Sequence, residues 1–333
     1  MNGGRTAVVI QIFIALVLLT SCGQSSEKIT PKALDAILDL TNWDLEEDGV
    51  IRLDGEWEFY WEQLLEPVDF TNGPSPKMTG FINVPSVWNK YKVNKAKLGG
   101  DGYTTYRLII NINDSYANYG LKIPYQYQCY QLWLNGKIIA SNGVVGKTRH
   151  TTIPQYFPRS SFFHTDEKAI ELIVQVANFH SRKGGIGNFI LLGTENQIKR
   201  MEKNAVAIDL FLTGSILIMA FYHFGLFLLR KKDSSTLFFG IFCVLVATRI
   251  ISDGGTFLAH LFPGIGWVLL MKLSYLPLYL ALPTFSAFLY VLFPHSMRKV
   301  LARAILILGG LFSLIVLVTA PSFFTRMTST FEI

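Results

Sequence analysis

The sequence predicts an all-β sandwich of the jelly-roll type followed by an α-helical membrane bundle. Three observations carry that prediction. Residues 41–194 alternate strand-length runs with turn residues and show no sustained helical period. Residues 205–229 are a continuous apolar run, closed at once by Arg230, Lys231 and Lys232. As a helix this run is about 37 Å long at ~1.5 Å per residue, enough to cross a hydrocarbon core of ~30 Å with some tilt. Three further runs of the same kind come after it, over 235–252, 267–293 and 302–319.

The totals agree with a two-part chain. Of 333 residues, 50% are hydrophobic and the net charge is +6. Residues 23–204 carry equal numbers of basic and acidic side chains. The excess comes from Arg5 and from residues 205–333, so it reads as a membrane-topology signal and excludes a nucleic-acid footprint. Cys22, Cys129 and Cys243 show neither CxxC nor Cys/His spacing. No metal site, cofactor or disulfide framework is expected, and Cys129 is expected to be a buried thiol.

In chain order, residues 1–22 read as a secretory leader, with Arg5 before an apolar stretch over 7–19. Its end, LTSCG at 19–23, resembles a bacterial lipobox, which would make Cys22 the lipidated residue; the alternative is an ordinary leader cleaved nearby. Residues 23–40 begin polar and continue as PKALDAIL from Pro31, so they are expected to form a tether with one short helix. The sandwich occupies 41–195. Its strands are expected at 50–60, 81–84, 103–112, 120–127, 130–134, 137–140, 169–176 and 189–192. Asn135-Gly136 joins two of them, and both residues tolerate positive φ, so a type I′ hairpin is expected there. In 169–176 the residues Ile170, Leu172, Val174 and Val176 share one face, with Glu171 and Gln175 opposite, as in a half-buried antiparallel strand. Residues 196–204 are expected to be a polar stalk that begins or leads into the first membrane helix.

The membrane block fills 205–320. The loop 252–266 has no Lys or Arg, whereas 294–303 holds Arg298, Lys299 and Arg303. Together with Arg230–Lys232 this alternation puts the N-terminal domain outside a multi-pass bacterial cell membrane. The tail 321–333 would return outside. Four spans with no cytoplasmic module after them suggest a piece of a longer protein. Four ionisable residues fall inside the spans: Asp209, Arg249, Asp253 and Lys272. Counting along each helix puts all four at about 6–8 Å below the outer surface, so they are expected to form a neutral polar network. The alternative is that Arg249 and Lys272 extend to head groups.

Five segments then carry a resemblance: LDGEWEF at 53–59, VPSVW at 84–88, GYTTYR at 102–107, LWLNGK at 132–137 and VQVAN at 174–178. In residues and spacing they resemble galactose-binding-like domains, such as the sugar-binding domain of β-galactosidase-like hydrolases, across residues 50–193. The segments YHFGL at 222–226 and FLLRKKDSSTLFFGIFC at 227–243 resemble the first helix junction of bacterial seven-transmembrane receptors with diverse intracellular signalling modules. That resemblance implies an outer β-domain, seven helices and a cyclase, kinase or phosphatase after them. Three helices and the output module would then lie outside this sequence.

Catalytic motifs are missing: GxxxxGK[ST], GxSxG, HExxH and a dinucleotide fingerprint do not occur. Gly184-Gly185-Ile186-Gly187-Asn188 precedes a strand and reads as a turn. Glu56 and Glu58 share a strand face and would suit glycoside hydrolysis, but they flank Trp57 in a strand whose other face is expected to be core, so a solvated face accounts for them better. His150, His164 and His180 lack ligand spacing. Trp57, Phe59 and Trp133 alternate within strands as core residues do. Trp88, Tyr91, Tyr156 and Phe157 fall in expected loops, where rings stack on sugar faces. The ligand-binding candidates are Trp88, Tyr91, Asn178, His180, Arg182 and Lys183, against packing of the sandwich end. No catalytic residue is assigned. Three readings remain: a sensor, a membrane-anchored carbohydrate-binding accessory or hydrolase module, and a structural membrane protein. The expected partners are an extracellular small molecule or carbohydrate, membrane lipid, a second copy in a homodimer and a downstream signalling module.

Overall fold

The period-two alternation becomes two packed sheets in a computed structural model, which describes residues 28–113, 118–124, 129–155, 157–253, 256–262, 264–295, 298–321 and 323–325. The leader, Cys22 and Tyr156 lie outside the described residues. The chain divides into two units, Met1–Thr30 and Pro31–Ile333, and the strands and helices among the described residues belong to the second.

Thirteen strands are present among the described residues. In order they are β1 (Ile37–Leu40), β2 (Ile51–Arg52), β3 (Gly55–Trp61), β4 (Gly80–Val84), β5 (Lys92–Val93), β6 (Ala96–Lys97) and β7 (Gly102–Ile112). Then come β8 (Tyr119–Ile123), β9 (Cys129–Leu134), β10 (Lys137–Asn142), β11 (Arg159–Phe163), β12 (Ala169–Asn178) and β13 (Leu191–Thr194). The larger sheet runs β10-β9-β12-β7-β3-β4, and the smaller runs β11-β8-β13-β2. β12 lies antiparallel to β7 over its whole length, from Ala169 against Asn111 to Asn178 against Gly102. Trp57, Phe59, Tyr106, Leu108, Tyr119, Leu121, Leu172 and Leu192 fill the space between the sheets. Each such side chain, fully withdrawn from water, contributes about 1.5–3 kcal/mol. The Asn135-Gly136 turn has φ of 45° and 80°, so the type I′ hairpin forms as expected.

Three expectations need correction. Part of the expected tether 23–40 is built into the sandwich. β1 pairs in parallel with β7, Ile37 against Ile109 through Leu40 against Ile112, and Ala33, Leu38 and Leu40 are core residues. Polar flanks concealed a short strand whose partner is a long way off in sequence. The run 50–60 is two strands, one in each sheet, so the chain changes sheets at Leu53-Asp54. Finally, β12 is buried on both faces. Gln175 Nε2 donates to the Leu65 carbonyl at 3.0 Å, and Thr105 Oγ1 donates to the Gln63 carbonyl at 2.9 Å. These bonds strap residues 63–65 across the sheet face expected to meet solvent.

On that outer face Arg107 joins Glu171 (2.7 Å) and Glu58 (3.3 Å), with its guanidinium 4.8 Å from the Phe70 ring. Burial alone would pull the Arg107 guanidinium down, but Glu171 and Glu58 outweigh it and hold it above its usual range. Cys129 is a buried thiol 3.2 Å from the Ala177 carbonyl, and burial pushes it up to about 12.

The helices are α1 (Pro67–Thr71), α2 (Glu195–Leu229), α3 (Ser234–Ser252), α4 (Thr256–Leu261), α5 (Trp267–Leu292) and α6 (Lys299–Val318). Four of them, α2, α3, α5 and α6, are long and apolar enough to cross a membrane. Each packs on the next of the four in order. Gly309 lets α6 approach α5 closely, since a Cβ there would sit 2.5 Å from Pro283 Cγ, and Tyr279 stacks on Phe312 at 5.3 Å beside it. Small residues at such crossings allow the backbone approach that holds helices together in lipid.

Candidate functional site

Among the described residues the sandwich meets the helices at two places, and together they make the candidate site. The first is a continuous joint. β13 passes into α2 with no intervening loop, because Thr194 ends the strand and caps the helix. Gln197 N donates to Thr194 Oγ1 at 3.4 Å, while Thr194 N donates to Gln197 Oε1 at 2.9 Å. This capping box satisfies backbone donors that a helix start would leave free. Gln197 Nε2 also donates to the Leu45 carbonyl. Ile198 is fully buried against two strand glycines, and a Cβ on Gly120 would sit 2.7 Å from Ile198 Cγ1. Ser160 Oγ donates to Glu202 Oε1 at 2.6 Å, and Lys199 pairs with Glu195 while its Nζ lies 5.0 Å from the Phe162 ring centre. The expected stalk 196–204 is therefore the first turns of α2, docked on the smaller sheet.

The second contact is a plug. Phe157, from the segment between β10 and β11, is 4% exposed and belongs to one buried apolar cluster with Leu258, Leu270, Met271, Tyr279, Val316 and Phe324 of the helical part. Beside it the His180 ring lies 6.1 Å from Trp267 at the start of α5, and His180 Nε2 lies 3.1 Å from the Thr152 carbonyl. Just below, Arg249 Nη1 donates to the Ser274 carbonyl at 2.7 Å and Arg249 Nη2 pairs with Asp253 at 3.4 Å. Ser274 Oγ donates to the Ser252 carbonyl at 3.2 Å.

The expected intramembrane network is brought together only in part. Arg249 and Asp253 pair, and Asp209 lies within electrostatic reach of Asp253, a like charge. Lys272 goes elsewhere, donating to the Leu317 carbonyl of α6 at 2.6 Å. The shared depth comes from counting residues along helices; facing direction does not, and Lys272 points from α5 to α6.

The ligand candidates from the sequence do gather at one end of the sandwich, but as a welded loop cluster. Trp88 is fully buried, and its Nε1 donates to the Gly100 carbonyl at 3.2 Å; its ring meets Trp61 edge-on at 5.3 Å. The assignment of Trp88 as a ring open to a sugar is corrected: it is a core residue. Tyr91 is half-buried and leans on Phe59 at 5.6 Å. Asn178 is buried and donates to the carbonyls of Gly100 (2.8 Å), Ser181 (2.9 Å) and Lys183 (3.3 Å) while accepting from Ser181 N at 3.0 Å. Those bonds use up its polar atoms in holding the loop, so it too is a structural residue. Arg182 is half-buried with its carbonyl on Asn89, and Lys183 is exposed. His180 faces the helices, beside Trp267. Phe157 stood out in the sequence only as an aromatic residue in a loop; nothing there signalled that its partners lie a hundred residues on.

Two open clefts flank the joint. One of about 430 Å³ is lined by Arg52, Phe189 and Met201, with the Arg52 guanidinium 4.6 Å from the Phe189 ring centre. The other, about 700 Å³, lies between Phe162 of β11, the face of α2 from Lys199 to Leu210, and Phe257 of α4. Among the described residues no group of His, Cys, Asp or Glu is placed to hold a metal ion.

Residues 206–333 match the family model described as 7TM diverse intracellular signalling. The similarity read from residues 222–243 thus extends over the helical part. No curated protein matches the chain. Solved structures with a similar part include a β-glucuronidase from an uncultured Clostridium sp., with 16% identity over 43% of this chain and 28% of that one and a TM-score of 0.33. A GH2 β-galacturonidase from Eisenbergiella tayi, bound to galacturonate, matches at 16% identity over 43% of this chain and 24% of that one, with a TM-score of 0.29. A β-glucuronidase from Faecalibacterium prausnitzii matches at 15% identity over 43% and 31%, with a TM-score of 0.32. The chain covers less than a third of the length of each of these enzymes.

Proposed function

We propose that this chain is a membrane-bound sensor, in which the outer β-sandwich takes an extracellular ligand and the helices carry the change inward. The observation that carries this reading is the double contact between sandwich and helices: α2 starts as a continuation of β13, and Phe157 shares a buried apolar cluster with residues of α4, α5 and α6. A shift of the sandwich would be passed to the helices because the joint at Thr194–Gln197 is hydrogen-bonded and the plug at Phe157 is packed. The family match over residues 206–333 supports the same reading. The proposed setting is a bacterial cell membrane, crossed several times, with the sandwich outside and Arg230–Lys232 inside by the positive-inside rule. Carbohydrate is the ligand class implied by the sandwich's resemblance, and a downstream signalling module and a second copy of the chain are the proposed protein partners.

A hydrolase reading is less well supported, because the two carboxylates that suggested it have structural duties. Glu58 accepts from Tyr60 Oη at 2.8 Å and from Arg107, and Glu56 accepts from Asp35 N at 3.3 Å.

The test is hydrogen exchange on the full chain in lipid nanodiscs, with galactose, glucose and their oligosaccharides as probes. The expected result is saturable protection in the sandwich together with altered exchange at 195–204 and 267–275. Saturable binding that leaves both helical segments unchanged would overturn the sensor reading.

A further inference from the structure

The larger cleft sits at a particular level of the molecule. α2 is polar from Glu195 to Asn204 and apolar from Ala205 onward, so the edge of the hydrocarbon falls near Ala205 if α2 spans. The cleft straddles that edge. Above it stand Lys199, Glu202 and Lys203; below it lie Val206, Ala207 and Leu210, with Phe257 opposite. Phe162 and Leu210, each about two-fifths exposed, make the wall apolar on both sides of the boundary. Lys199 is occupied by Glu195, and Glu202 by Ser160. Among the described residues Lys203 has no carboxylate within ion-pair distance, and it is exposed.

We propose that this cleft is a binding site for a glycerophospholipid of the outer leaflet. Its phosphate meets the Lys203 ammonium, with Lys199 beside it. One acyl chain runs down Val206 and Leu210 toward Phe257. A phosphodiester at a lysine over an apolar trough is the arrangement that an amphiphile satisfies and a soluble anion does not, because a soluble anion leaves the trough empty. The volume, about 700 Å³, holds a head group with its glycerol and the first part of a chain. The lipid is supplied by the membrane that the four apolar helices imply. Seated there it touches the sandwich through Phe162, α2 through Val206, and α4 through Phe257, so it packs against three elements of the joint at once.

The experiment uses the full chain released from membranes in mild detergent, with retained dioleoyl phosphatidylglycerol counted by native mass spectrometry. Lys203→Glu removes the cation and should lower retention at least about fivefold, the worth of roughly 1 kcal/mol per basic residue near a lipid surface. Val206→Trp fills the trough while keeping the charge, and should lower retention similarly. Glycerol phosphate, which carries the head-group chemistry without a chain, should not displace the lipid. Unchanged retention in both variants, each with an unaltered melting transition, overturns the proposal. Displacement by glycerol phosphate alone also overturns it, since the site would then be one for a free phosphate. If the sensor reading fails but lipid is retained by the parent and lost by the two variants, the lipid site stands.

Discussion

Trp88 shows how far a single residue's surroundings decide its role. Its ring is enclosed by Trp61 and by the backbone of the glycine loop, where a Cβ on Gly184 would sit 2.1 Å from the Trp88 ring. Trp88→Ala should cost about 3–5 kcal/mol, in the range for deleting a buried aromatic ring, and lower the sandwich's thermal midpoint by roughly 10 °C in near-ultraviolet circular dichroism. A midpoint within a degree or two of the parent would mean that the ring is not packed against Trp61 and the loop. Trp88 and Phe157 illustrate the limit of reading a sequence at this scale. Both are aromatic residues between strands, and both were candidates for stacking on a sugar. One proves to be core and the other a plug in the helices, because exposure depends on neighbours far off in the chain and the local sequence carries no record of them.

At the scale of elements, period-two patterning made the long strands legible. β7, β9 and β12 fall where alternation put them, and the Asn135-Gly136 turn fixes the β9–β10 register. β1 and β11 were missed for physical reasons. The sequence leading into β1, PKALDAIL, has helix-forming composition, and β11 (RSSFF) has only its last two residues apolar. Each is held by a neighbouring strand, and its own propensity counts for less. The start of α2 depends equally on its surroundings: Ile198 can reach the sheet only because Gly120 and Gly193 have no side chains. Gly120→Val should push that first part of the helix off the sheet. The expected outcome is faster hydrogen exchange over 195–203 with the spanning part of α2 unchanged. Equal protection in parent and variant would mean that the sheet does not hold the helix.

At the scale of the whole molecule, the four apolar helices were the most legible feature, because length and apolarity alone define them. Their boundaries differ mainly at α2, where the helix begins at Glu195, ten residues before the apolar run. The meeting of sandwich and helices was not legible, since it depends on a capped joint at Thr194 and on a plug at Phe157 whose partners lie far off in the chain. Phe157→Ser should separate these two parts without unfolding either. The expected outcome is faster exchange in Leu270 and Met271 at the start of α5, with the sandwich's melting transition unchanged. If α5 stays protected, Phe157 does not join the two parts.

The absence of a loop between β13 and α2 has a geometric consequence. A strand and a helix that share a covalent axis without slack also share an angle about it. Each residue of an α-helix advances that angle by about 100°, so the number of residues between Thr194 and Ala205 sets the compass bearing at which the apolar face of α2 leaves the sandwich. The segment therefore works as a phase setting, in which length is translated into direction: adding one residue would turn every side chain below it by more than a quarter circle, while adding seven would bring them back to within about 20° of where they began.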